Sequence, residues 1–141
     1  MNNLVAKASL IIDAPVADVW ETLLDPGQIK QYMFGTTVRS DWIVGGPITW
    51  SGEWEGKAYQ DHGRILELDE GYRLVYTHFS PLSGKPDKPE NYHQITIELD
   101  RDGTRTAITL SQDNNRTEKE REHAAKNWDT VLHNLRRLLE A

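Results

Sequence analysis

Five histidines, His62, His78, His93, His123 and His133, are the side chains of this 141-residue chain that can exchange a proton near neutral pH. None shows the close spacing of a metal pair such as HExxH. His62 and His78 fall on successive extended stretches that would pair, and His93 opens the next one. A three-histidine zinc site would need all three together. Ordinary hydrogen-bonded or surface histidines are the commoner outcome of such a pattern. His78 and His93 flank the Pro-rich stretch Ser80–Asn91, which makes them the best general acid–base candidates if chemistry occurs there. Asp61 and Glu53 could serve as acids in a cleft, although charges on small sheets are usually solvated. Ser51 and Ser80 lie outside any G-x-S-x-G context, and with no cysteine there is no thiol nucleophile, disulfide or thiolate metal site. The chain therefore carries no assigned catalytic residue, and neither a metal nor a cofactor is expected.

The aromatic residues have the clearer pattern. Ile48–Trp54 alternates strictly, so Ile48, Trp50 and Trp54 share one strand face. Tyr76 lies on a later strand, and Trp128 lies on a helical stripe. Large rings so placed either fill a core or line a cavity, and both readings put them in the same layer.

That layer must be built by strands and one long helix. Thr117–Ala141 reads as an amphipathic helix. Thr117 is its N-cap, with Glu120 in capping-box position, Glu118 and Glu122 nearby, and Arg136 and Arg137 in the last turns. Ala124, Ala125, Trp128, Val131, Leu132, Leu135, Leu138 and Leu139 form one apolar stripe. Trp128, Leu132 and Leu135 are expected to be buried by it. Upstream, Leu4–Ile12 reads as a strand. Asp13 at or before an N-cap and Pro15 in the first turn then open a helix bearing Val16, Val19, Trp20, Leu23 and Leu24. Asp25-Pro26-Gly27 breaks it, and Gln28–Met33 suggests a second short helix. Strands then dominate. Tyr59–Leu68 and Tyr72–Phe79 form a hairpin of undecided register, so the facing of Leu66, Leu68, Leu74 and Tyr76 stays open. The loop Ser80–Asn91 follows, then strands at His93–Leu99 and Thr104–Gln112. The fold class is α+β, with about six or seven antiparallel strands packed against the last helix.

A net charge of −6 and no Lys/Arg cluster argue against nucleic acid as a partner. Met1–Leu10 lacks a basic n-region, so no signal peptide is read there, and no apolar run approaches the ~20 residues of a membrane span. A cytoplasmic protein forming a single domain over residues 1–141 is expected.

The segment Ala8-Ser-Leu-Ile-Ile-Asp-Ala-Pro-Val-Ala-Asp-Val-Trp20, then Leu23, Leu24 and Asp25-Pro26, resembles the opening of the START-like, helix-grip superfamily (SRPBCC, Bet v 1-like). Val44-Gly-Gly-Pro-Ile-Thr-Trp50, Gly63-Arg-Ile-Leu-Glu67, Leu74-Val-Tyr-Thr77 and Asn127-Trp128 look most like its bacterial branch related to the Hsp90 ATPase activator domain. The resemblance covers nearly the whole chain. It implies a sheet curled around the C-terminal helix with a hollow between them. Members range from lipid carriers and polyketide cyclases to a co-chaperone domain, so fold does not name function. The leading expectation is a small apolar or aromatic ligand bound by Trp50, Trp54, Tyr76, His78, His93, Trp128 and Leu132, with the Ser80–Asn91 loop near the mouth. A protein partner of the Hsp90-activating kind and a cofactor-free cyclase or hydrolase using His78 or His93 are the alternatives. Homodimerisation is left open.

Overall fold

A computed structural model describes residues 4–141. Strand β1 (Leu4–Ile12) leads into two short helices, α1 (Val16–Leu24) and α2 (Pro26–Tyr32). Six strands follow: β2 (Thr37–Ser40), β3 (Pro47–Trp54), β4 (Lys57–Asp69), β5 (Arg73–His78), β6 (His93–Asp102) and β7 (Arg105–Asn115). The chain ends in α3 (Glu118–Leu139). The strands form one seven-stranded antiparallel sheet in the order β1-β7-β6-β5-β4-β3-β2. It is a meander from β2 to β7, and β1 returns to pair with β7 at the far edge. The signal-peptide reading of Met1–Leu10 includes residues 1–3, which lie outside the described residues. Among the described residues no helix is long and apolar enough to cross a membrane.

The long helix starts where its cap requires. Thr117 is extended, and its hydroxyl oxygen accepts from the Glu120 N–H at 3.0 Å. Ala124, Val131, Leu132 and Leu135 are buried, with Leu138 and Leu139 packed partly against the core. Trp128 is only half-buried, contrary to the expectation of full burial, because the stripe outruns the closed part of the core at its N-terminal end. The C-terminal end of α3 is tied to the helical corner: Glu140 Oε2 accepts from the Asp13 N–H at 2.8 Å.

That contact bears on the start of α1. Asp13 does not cap it. The N-cap residue is Pro15, with no side-chain cap, so Pro15 stands just before the first turn rather than in it. Asp25 both ends α1 and caps α2, its Oδ2 accepting from the Gln28 N–H at 3.3 Å. The second helix thus begins at Pro26, two residues earlier than Gln28.

The undecided hairpin is now resolved. Asp69 pairs with Arg73 across a loop in which Gly71 has φ 75°, and a bulge at Leu66 separates the Ile65–Tyr76 pair from Glu67–Val75. The bulge turns Leu66 to solvent and keeps Ile65, Leu68, Leu74 and Tyr76 on the helix-facing side.

Candidate functional site

Pleating sorts the central strands into two faces. Trp50 pairs with Asp61, Gly52 with Tyr59, Tyr76 with Ile95, and His78 with His93. These residues share the face that looks toward α3. The helix covers that face tightly around Leu132 and Leu135 but stands off it nearer Ala124. The outcome is two voids. An inner one of about 30 Å³ is water-sized and is lined by Tyr32, Trp50, Tyr76, Trp128 and Leu132 among others. The outer one is an open cleft of about 630 Å³. That size lies within the ~300–1,000 Å³ common for small-molecule sites.

The cleft has two kinds of wall. Met33, Trp50, Tyr76, Ile95 and Trp128 supply the apolar one. Trp50 packs on Tyr76 with ring centroids 5.2 Å apart, so these rings touch each other and still face open space. Trp128 is fixed from behind: its indole N–H donates to Gln112 Oε1 at 2.7 Å. The polar wall comprises Thr36, Tyr59, Asp61, His78 and Ser80. Gly52 makes room for Tyr59, because a Cβ there would stand 2.8 Å from the Tyr59 hydroxyl. That hydroxyl in turn pairs with Thr36 Oγ1 at 2.5 Å. Exposed Phe34, Trp54 and Leu82 stand around the mouth, with Ser80 and Ser83 from the Pro-rich loop.

His78 sits where the two walls meet. Its ring lies 5.0 Å from that of Trp50, and its Nε2 lies 2.9 Å from Asp61 Oδ2. Both side chains are largely withdrawn from solvent, at 29% and 15% exposure. The second oxygen of Asp61, Oδ1, is buried without a hydrogen-bond partner among the described residues. Burial pushes the phenol of Tyr76 well above its usual ionisation range, so it stays neutral. Tyr32 is pushed up by burial too, with Tyr76 adding to the effect, while its hydroxyl donates to the Leu23 carbonyl at 2.9 Å.

Of the residues singled out from the sequence, Trp50, Trp54, Tyr76, His78 and Trp128 line the cleft together. Leu132 lines only the inner void. His93 shares the strand face but lines neither void; its Nδ1 is held at 2.8 Å from the Asp113 carbonyl. His62 points to the opposite face, with Nε2 3.0 Å from both Asp87 Oδ2 and the Tyr92 hydroxyl. The three histidines therefore do not converge, and no metal-holding cluster occurs among the described residues. Asp61 entered the sequence reading only as a weak cleft acid. Its neighbour in the fold is His78, 17 residues away, and nothing in the spacing announces that pairing.

The sheet, the gripping helix and the cleft between them define a helix-grip α+β protein. The profile of the Activator of Hsp90 ATPase homolog 1-like protein family matches residues 13–140, and the chain belongs to that family. It is similar to ChR145 from Cytophaga hutchinsonii at 52% identity and TM-score 0.87, over 99% of this chain and 97% of that one. More distant likenesses show the fold alone. They include NE0264 from Nitrosomonas europaea, at 23% identity and TM-score 0.77 over 97% and 94% of the two chains. The Aha1 dimer from Colwellia psychrerythraea stands at 17% identity and TM-score 0.74 over 99% and 97%. Comparison with curated proteins gives no match.

Proposed function

We propose that the cleft binds a small molecule with an apolar, aromatic body, and that residues 1–141 act as one ligand-binding domain. The observation that carries this is the open space of about 630 Å³ facing Trp50, Tyr76 and Trp128, in a region that a purely structural core would close. Burying ~200–300 Å² of apolar ligand surface at about 25 cal/mol per Å² would contribute roughly 5–8 kcal/mol before association costs. Native mass spectrometry of protein purified gently from its own host tests the reading. A retained small molecule that leaves on denaturation supports it; apo protein from every growth condition, together with failure of flat aromatic probes to bind, sinks it.

Two other readings have specific support. The family's name and the exposed ring of Phe34, Trp54 and Leu82 favour a protein partner at the cleft mouth. The inward placement of His78 favours a cofactor-free reaction, for which His93 is out of position. A homodimer would extend the first of these, since the Colwellia protein is described as a dimer.

A further inference from the structure

We infer that the ligand carries a hydroxyl group on its aromatic body, and that His78 Nδ1 receives that hydroxyl's hydrogen bond while Asp61 sets the ring for it. This rests on the ligand-binding reading of the cleft and adds the chemical class. The argument begins with Asp61. A carboxylate can only accept, so the 2.9 Å contact between Oδ2 and His78 Nε2 places the ring hydrogen on Nε2. In the neutral imidazole the other nitrogen, Nδ1, is then the acceptor. It has no hydrogen-bond partner among the described residues, and His78 lines the cleft. The site thus offers an aromatic slot against Trp50, 5.0 Å from the imidazole, with one fixed acceptor at its edge.

A second observation separates this from an ordinary structural pair. A strut inside a protein has its acceptors satisfied, yet Asp61 Oδ1 is buried and unpartnered. Keeping a carboxylate there for a single contact to a half-open histidine makes sense if the product of that contact, an oriented imidazole, is what the site needs. The wall beside it adds selectivity. Thr36 and Tyr59 bond each other, which uses one of their two hydroxyl hydrogens and leaves one available on that wall. Asp61 is a positioning residue, and His78 is the residue that touches the ligand.

The test uses two probes of one shape, 2-naphthol and 2-methylnaphthalene, titrated by calorimetry into wild-type protein and into His78→Phe, which keeps a ring and removes the acceptor. Wild type should bind 2-naphthol about 3- to 10-fold more tightly, the scale of one net hydrogen bond. His78→Phe should bind the two alike, the ratio of the two affinities being the readout. In long-range ¹H–¹⁵N spectra His78 should appear as the Nε2–H tautomer. Asp61→Asn, which can donate to Nε2, should shift it toward Nδ1–H and shrink the naphthol preference in step. Equal binding of both probes by wild type overturns the hydroxyl inference and leaves the apolar cleft standing. So does a preference that survives His78→Phe. If neither probe binds wild type, both readings fall.

Discussion

Gly63 is the point at which a single methyl group should take the site apart. It lies on β4 between Asp61 and Ile65, opposite the stretch of β5 that carries Thr77 and His78. A Cβ built on it would stand 1.7 Å from the Thr77 carbonyl oxygen and 2.5 Å from that carbonyl carbon. Ordinary contact begins near 3.4 Å, so Gly63→Ala requires the two backbones to separate by well over an ångström. Backbone, not a flexible side chain, would have to move. The contacts that hold the strands together there are the paired His62–Phe79 bonds of 3.0 and 2.8 Å and the 2.9 Å bond from the Arg64 N–H to Thr77 Oγ1. Overpacking alone costs about 1–3 kcal/mol, and each strained or lost hydrogen bond adds roughly 1 kcal/mol, so a total on the order of 3–5 kcal/mol is expected. Urea unfolding followed by tryptophan fluorescence and by circular dichroism measures it. Gly27→Ala is the matched control. Its nearest neighbour would be Asp25 Oδ2 at 3.6 Å, in the first turn of α2, and a change from zero to about 1 kcal/mol of stabilisation is expected there. A loss below about 1 kcal/mol for Gly63→Ala would refute the reasoning, because the close approach of β4 and β5 would then be absent in solution.

Four further outcomes follow from particular contacts. Thr117→Ala removes the acceptor of the Glu120 N–H and should destabilise by about 0.5–2 kcal/mol in urea unfolding, with Thr117→Ser largely restoring the loss. Trp128→Phe deletes the indole donor to Gln112 while keeping a ring, so about 1 kcal/mol should be lost, well short of the ~3–5 kcal/mol typical of truncating a fully buried tryptophan to alanine. Tyr92 is pushed up to about 12, first by desolvation and then by its bond to Asp87. A raised phenol favours the protonated fold, so its contribution is complete below pH ~10 and is lost as pH rises toward 12. Absorbance at ~295 nm should show late-titrating tyrosines, since Tyr32 and Tyr76 are raised too, and Tyr92→Phe should remove one of them while leaving the other two. Asp87 behaves oppositely: Tyr92 and then His62 hold its carboxyl below the usual range, so this part of the loop should stay attached until the pH falls below ordinary carboxylate titration.

The sequence made the architecture legible because its signals were local and periodic. The α3 stripe and the Thr117 cap needed only spacings of three and four, and the Ile48–Trp54 alternation needed only a period of two. Asp13, read as the N-cap or a position before it, takes the latter, two residues ahead of Pro15, with its N–H donating to Glu140 from the far end of the chain. The hairpin facing stayed open because a one-residue bulge at Leu66 reverses every side chain beyond it, and nothing in the residues around Asp69–Gly71 declares the bulge. The cleft was half legible. Trp50, Trp54 and Trp128 could be placed in one layer, with Tyr76 waiting on the hairpin register, but the extent to which α3 stands off the sheet depends on packing among distant residues. The Asp61–His78 pair and the separation of His93 from it were not legible, since both depend on which side-chain atoms meet across strands. Nor could spacing show that Leu132 lies behind the closed part of the core rather than in the open cleft, where Ala124 is the helix residue that faces the space.

Ala124 is therefore where the central claim is tested most directly. It is 9% exposed and lines the cleft on the helix side. Nile red titrated into wild type should bind saturably at one site, with quenching of tryptophan emission. Ala124→Phe, which fills the cleft from the helix, should weaken that binding at least about tenfold while the unfolding midpoint in urea stays within the range of a tolerated substitution. Asn127→Phe, exposed on the same wall, repeats the test without touching the core. Saturable binding that survives both substitutions in folded protein, or none in wild type, would contradict the account of the cleft as the ligand site.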